Sequence, residues 1–334
     1  MQTAVVTGAS GMLGSALVRR LRQTGKYNVI PLTRHDADLL DAGTVGRVLS
    51  SARPDIVFHC AAKVAGLGGN SAFPADFFDE NILINTHVVR AARAAGATKF
   101  VGVGTTAIYS DSAPLPMKES DIWVGPPHHS EVAYGVAKRA MLTQLQAYKK
   151  QHGMAYGYGI LTNLYGPNDT FDKAYGHVVP SLICKIKEAM DTNSPLEVWG
   201  DGSPRRDFLY VDDAADALIM IGELGDGPYN IASGKVITIR GLLEALTEAS
   251  GFRGEVVWAT DKPNGQMLRE YDLSSILTLG FEAAVSLHDG LRRTWDSTRF
   301  HTDCFLQSTR LDRVFGDSSL YLSPDLYHVQ LVLE

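Results

Sequence analysis

At 334 residues the chain is longer than one hydrophobic core usually serves, so a large domain and a smaller one are expected, and its formal net charge of −6 without a dense basic stripe argues against nucleic-acid binding. Three widely spaced cysteines, Cys60, Cys184 and Cys304, fit neither a disulfide framework nor a zinc site. With no leader-like start and no apolar run of membrane-spanning length, the expectation is a cytoplasmic protein with reduced thiols and no membrane partner.

Short apolar runs at 3–7, 29–32, 56–60, 100–103 and 157–161 alternate with amphipathic stretches. Runs that are apolar throughout suit strands buried on both faces, and the helices between them predict an α/β doubly wound parallel sheet of Rossmann type. Residues 13–23 read as one such helix, and Ile84, Val88, Ala91 and Ala95 keep helical spacing in another. From about Pro167 the alternation gives way to loops rich in Gly, Asp and Pro, with short helices such as 239–250 and 287–297. The expected division is a cofactor-binding domain over 1–166, with later segments returning to it. A smaller α/β lobe, mainly substrate-binding, covers 167–298, and an extension of no assignable role covers 299–334.

Gly8, Gly11 and Gly14 sit between the first strand and a helix beginning near Met12 and Leu13, which is the setting of a dinucleotide fingerprint. Each glycine has a reason there: a tight turn, close approach of backbone to pyrophosphate, and helix packing. After the second strand, where a carboxylate would select NAD through the ribose hydroxyl, the chain has Thr33 and Arg34. An arginine pairs with a 2′-phosphate, so NADP is the expected cofactor. Asp38 has two readings, as an acceptor for the adenine amino group or as the cap of the next helix. Ala61 and Ala62 follow the third strand, where small side chains let a cofactor lie against the backbone.

The chemistry is expected downstream. Tyr134 and Lys138 are four residues apart, so on a helix they share a face and the ammonium would favour the ionised phenol. Thr105 ends the fourth strand, at the edge where the phenol should arrive, and its hydroxyl can hydrogen-bond a substrate carbonyl.

Thr105, Tyr134 and Lys138 resemble the Ser/Thr, Tyr and Lys of the extended short-chain dehydrogenase/reductases. That resemblance implies that the tyrosine protonates the oxygen of a ketone as hydride reaches its carbon, while the lysine binds the nicotinamide ribose. Longer stretches, residues 60–66, 74–77, 162–169, 176–180 and 198–202, resemble the GDP-L-fucose synthase branch over about 1–298. Those enzymes epimerise GDP-4-keto-6-deoxymannose at C3 and C5 and then reduce it at C4 with NADPH. The resemblance implies a GDP-sugar partner and a homodimer. It also implies a substrate pocket with Lys185 and Arg206 on the diphosphate, Trp199, Val178 and Leu182 along the nucleotide sugar, Asn163 near the sugar, and Arg269 on the nucleotide.

One position departs from the pattern. The branch has Ser-Ser-Cys-Ile-Tyr, whose cysteine exchanges protons with the sugar opposite a histidine, here matched by His177. This chain has Thr105-Thr106-Ala107-Ile108-Tyr109, and Ala107 has no titratable atom. Two readings stay open: a plain 4-reductase acting on this sugar or a related heptose, which the chemistry favours, or a bifunctional enzyme using another base. A 4,6-dehydratase is disfavoured by the absence of an Asp-Glu pair at 106–107 and an NADP-sensing regulator by the retained Tyr134 and Lys138, and a nucleotide-sugar 4-epimerase also ranks behind the reductase.

Overall fold

The computed structural model describes residues 1–173, 176–261 and 266–298. The stretch 299–334, with Cys304, lies outside the described residues. The first apolar run forms strand β1 (Gln2–Thr7), and the glycine loop after it turns into helix α1 (Met12–Thr24). The alternation continues through β2 (Tyr27–Leu32), α2 (Ala42–Ala52), β3 (Ile56–His59), α3 (Leu67–Ala72), α4 (Pro74–Ala94), β4 (Lys99–Thr105), α5 (Val132–His152) and β5 (Ala155–Leu161). Next come β6 (Asn163–Tyr165), α6 (Val178–Thr192), β7 (Leu196–Trp199), β8 (Arg205–Tyr210), α7 (Val211–Leu224) and β9 (Gly227–Ile231). The described chain closes with β10 (Val236–Thr238), α8 (Ile239–Ser250), β11 (Val256–Ala259), α9 (Ser274–Leu277) and α10 (Leu287–Ser297).

Six strands pair in parallel in the order β2-β1-β3-β4-β5-β9. Alternate residues of β1 face opposite ways: Ala4 and Val6 join a cluster with α1 and α7, while Val5 joins one with α2, α4 and α5. Both faces are therefore covered by helices, which is why these strands are apolar throughout rather than alternating. Burying each such side chain contributes roughly 1.5–3 kcal/mol. The chain leaves β1 toward β2 on one side and returns to β3 on the other, so a crevice opens past Thr7 and His59, at the point where ligands bind in such sheets.

Helix α4 departs from the expected apolar stripe. Its buried positions are Phe77, Asn81, Asn85, Val88, Val89 and Ala92, with Ile84 and Ala91 only half-buried. The two asparagines fasten the floor of the crevice. Asn81 donates to the carbonyls of Lys63 and Phe77 and accepts from the Lys63 N–H, at 2.9, 2.7 and 3.1 Å. Asn85 Oδ1 lies 3.1 Å from His59 Nε2, and His59 Nδ1 lies 2.7 Å from Thr7 Oγ1. Burial holds the His59 imidazole neutral, its pKa pushed down to about 3.

Beyond β5 the chain builds a small sheet, β10-β8-β6, and a parallel pair, β11-β7. Segment β9 returns to the main sheet and α7 packs on α1. Leu182, Ile183, Leu242 and Leu291 share an apolar cluster with Ala4 and Leu17. Among the described residues no helix is long and apolar enough to cross a membrane.

Candidate active site

A cavity of 2210 Å³ lies along the carboxyl ends of the main sheet and runs to α6, β7 and β8. At its cofactor end the glycines are sterically required. Gly8 has φ 66°, and a Cβ there would meet the Ala61 nitrogen at 2.8 Å; one on Gly14 would meet the Gly8 carbonyl oxygen at 2.1 Å. Gly11 is the N-cap of α1 and offers no side-chain acceptor. The first-turn N–H groups, from Met12 and Leu13 onward, are thus left for a ligand where the helix end favours negative charge. Ala61, Ala62 and Arg34 border the same cavity.

Asp38 also borders the cavity, and its Oδ1 accepts from the Leu40 N–H at 3.0 Å. It does not cap α2. That place belongs to Asp41, whose Oδ1 accepts from the Gly43 N–H at 2.8 Å, because the chain makes a further turn before the helix starts. The capping reading of Asp38 is thereby corrected.

Thr105 ends β4 on the cavity wall, its hydroxyl oxygen 3.2 Å from the Ala107 N–H and capping the 3₁₀ turn Thr106–Ile108. The first two turns of α5 carry Tyr134 and Lys138 to the same wall. Lys138 Nζ is 5.7 Å from the Tyr134 ring centroid and donates to the Val103 carbonyl at 2.9 Å. Burial pushes the Lys138 pKa down to about 8, with Cys60 pulling the other way. Tyr134 runs against the expectation of an ionised phenol. Burial raises its pKa, and the negative charge of Glu131 adds to the effect. The reason is that both side chains are sealed and the ammonium is itself desolvated, so the phenol stays protonated. A protonated phenol is a proton donor, the form that reduction of a ketone requires.

Ala107 lies beside this pair, buried in a small apolar cluster with Phe77 and Tyr134; the two rings meet edge-on at 6.4 Å. Helix α5 approaches it closely at Gly135, where a Cβ would lie 2.7 Å from the Ala107 carbonyl oxygen.

The far end of the cavity is built by α6 and the small strands. His177 is the N-cap of α6 and makes no capping bond with its side chain. Val178, Leu182 and Lys185 follow along the helix. Lys185 Nζ sits 5.3 Å from the Trp199 ring centroid and 3.4 Å from the Glu197 carbonyl oxygen. Burial and then the like charge of Arg269 push the Arg206 pKa down to about 10. Two guanidinium groups of like charge on one wall suit a multiply charged anion. Arg269 Nη2 stands 3.9 Å from Glu131, and Asn163 Nδ2 donates to the Asp207 carbonyl at 2.9 Å.

Several cavity residues were not singled out in the sequence. Asp169 is buried with one carboxylate oxygen lacking a hydrogen-bond partner, the other accepting from the Thr170 N–H at 2.7 Å. Burial raises its pKa while His177 opposes the rise. Lys63 pairs with Glu80 at 2.6 Å, and His128 and Ser130 line the wall ahead of α5. Only their neighbourhood in recognisable motifs marks them in the sequence, because their partners are distant or in loops. No cluster of metal-ligating side chains occurs among the described residues.

Residues 4–232 match the model of the NAD dependent epimerase/dehydratase family. The chain is 39% identical over 294 residues to GDP-L-fucose synthase 1 of Arabidopsis thaliana, covering 87% of this chain and 91% of the relative. The chain belongs to the NAD-dependent epimerase/dehydratase family, among the GDP-L-fucose synthases and their relatives. Solved members of this family have the same fold. A GDP-L-fucose synthetase from Naegleria fowleri bound to NADP superposes with a TM-score of 0.83 at 28% identity, over 89% of this chain and 92% of that one. A GDP-6-OMe-4-keto-L-xylo-heptose reductase from C. jejuni superposes with a TM-score of 0.82 at 27% identity, over 88% and 97%.

Proposed function

We propose that this chain is an NADPH-dependent 4-reductase of a GDP-4-keto-6-deoxy sugar, GDP-4-keto-6-deoxymannose or a related heptose. The observation that carries this reading is the convergence of the glycine loop, the Thr105–Tyr134–Lys138 group and the Lys185, Arg206 and Arg269 cations on one cavity. It is supported by homology to GDP-L-fucose synthases and by likeness to a GDP-heptose reductase.

The residues present fit NADP. The glycine cradle has room only for backbone, α1 presents its N-terminus, and Arg34, which borders the cavity just after β2, can pair with a 2′-phosphate. When bound, NADPH supplies the hydride. Lys138 holds the nicotinamide ribose, Thr105 donates a hydrogen bond to the keto oxygen, and Tyr134 gives that oxygen its proton. Lys185, Arg206 and Arg269 hold the diphosphate and nucleotide, with Trp199, Val178 and Leu182 along the pocket and Asn163 near the sugar. Asp38 receives the adenine.

Inversion at C3 and C5 needs a base on one face of the sugar and an acid on the other. His177 supplies one, and the apolar surroundings of Ala107 supply no counterpart. Reduction in deuterated water should therefore leave little deuterium at C3 and C5. Efficient incorporation at both carbons, with GDP-L-fucose as product, would assign the chain to the bifunctional reading instead.

A further inference from the structure

Glu131 carries a charge that the reduction described above does not use. It is the N-cap residue of α5, yet its side chain makes no capping bond, so the helix start does not account for it. Its charge also opposes the phenolate that each reduction leaves on Tyr134, so proton transfer does not account for it either. Among the described residues its side-chain partner is a cation distant in sequence. Glu131 Oε2 lies 3.9 Å from Arg269 Nη2, the side chains are 18% and 13% exposed, and both residues border the cavity.

The backbone around Arg269 is pinned on two sides. The Arg205 N–H donates to the Met267 carbonyl at 2.8 Å and the Arg269 N–H to the Arg205 carbonyl at 3.4 Å. On the other side the Met117 N–H donates to the Glu270 carbonyl at 2.9 Å, and the Asp272 N–H to the Met117 carbonyl at 2.8 Å. What remains to be set is the direction of a long side chain that the like charge of Arg206 repels. Arg269 Nε donates to Gln266 Oε1, a neutral acceptor that orients the guanidinium without offsetting its charge. We propose that Glu131 is a positioning residue, whose carboxylate holds the Arg269 guanidinium in the pocket against the repulsion of Arg206, ready for a nucleoside diphosphate. This rests on the reading of Arg269 as a grip on the nucleotide.

At 3.9 Å the pair is beyond hydrogen-bond length, so the carboxylate balances the charge of Arg269 without taking up its donors. A carboxylate beside an anion site also repels the anion, and the two effects differ in sign. If Glu131 only repelled, neutralising it would tighten binding of a nucleoside diphosphate. If it positions Arg269, neutralising it lets the guanidinium move away from Arg206, and the charge-assisted hydrogen bonds to the ligand go with it. Positioning outweighs repulsion because those bonds are lost outright, whereas the Glu131 charge is already offset by the guanidinium it faces.

The test is calorimetric titration of the intact chain with GDP, alongside fluorescence titration with NADPH, for Glu131→Gln, Arg269→Gln and the double variant. GDP affinity should fall about three- to tenfold in the isosteric Glu131→Gln and about tenfold or more in Arg269→Gln. The double variant should match Arg269→Gln within about twofold, because without the guanidinium Glu131 has nothing to position. NADPH affinity should be unchanged in all three. Unchanged or tighter GDP binding in Glu131→Gln overturns the proposal, as do losses that add in the double variant or a fall in NADPH affinity that matches the fall for GDP. An unmodified protein that binds no GDP, or Arg269→Gln that binds it as tightly as the unmodified protein, overturns instead the nucleotide reading on which the proposal rests.

Discussion

The roles of Tyr134 and Lys138 separate experimentally. Tyr134→Phe removes only the phenolic oxygen and keeps the edge-on packing on Phe77. We expect kcat to fall by roughly 10²–10⁴-fold, the usual contribution of a general acid, with NADPH still bound. Near-normal turnover, read from NADPH absorbance, would exclude Tyr134 as the proton donor. Lys138 makes a pH prediction. Its pKa is held at about 8, and the ammonium is the form that complements an anionic cofactor. As pH rises through that value the free enzyme loses the charge and must regain the proton to bind. NADPH affinity should be flat below about pH 8 and fall up to about tenfold per unit above it, while Lys138→Met should bind weakly at all pH values. Fluorescence titration between pH 6 and 10 measures this. At Ala107 the expected gain is an activity: Ala107→Cys should introduce or raise deuterium exchange at C3 and C5, and His177→Asn should lower whatever exchange exists. NMR of product made in deuterated water reads both.

Elements position these residues, and the loop between β1 and α1 is the most constrained of them. A methyl on Gly14 would collide with the Gly8 carbonyl oxygen at 2.1 Å, so Gly14→Ala must displace the start of α1. Overpacking of this kind costs about 1–3 kcal/mol, and a lowered melting temperature together with lost NADPH binding is expected. At the end of β2, Arg34→Ala should remove most of the preference for NADPH over NADH, since a charge-assisted pair contributes roughly 1.5–3 kcal/mol. Equal Michaelis constants for the two cofactors in the unmodified enzyme would contradict the assignment. This loop was legible in the sequence because its requirements are local: three missing side chains between a strand and a helix. The parallel sheet was legible for a similar reason, since two-sided burial leaves continuous apolar runs. Helix α4 was less so, because Asn81 and Asn85 occupy its buried stripe to bond Lys63 and His59 across the fold. Likewise Asp38 and Asp41 could not be told apart as caps until the turn between them was placed.

Over the whole molecule, the catalytic wall comes from one half of the chain and the cationic wall from the other. Tyr134 and Lys138 stand on α5, whereas Lys185, Trp199 and Arg206 come from α6, β7 and β8. Motif spacing could name these residues but not the electrostatics between them. The lowered pKa of Arg206, the raised pKa of Tyr134 and that of the buried Asp169, opposed by His177, all depend on contacts between segments distant in sequence or on burial that only the fold creates. The most direct measurement uses NADPH deuterated at the nicotinamide C4 hydrogen that is transferred, together with GDP-4-keto-6-deoxymannose in ordinary water. Hydride transfer to the ketone predicts one equivalent of deuterium at C4 of the sugar, with the GDP intact and the transfer slowed by roughly 10²–10⁴-fold in Tyr134→Phe. Unchanged cofactor, or a product without deuterium at C4, would contradict it.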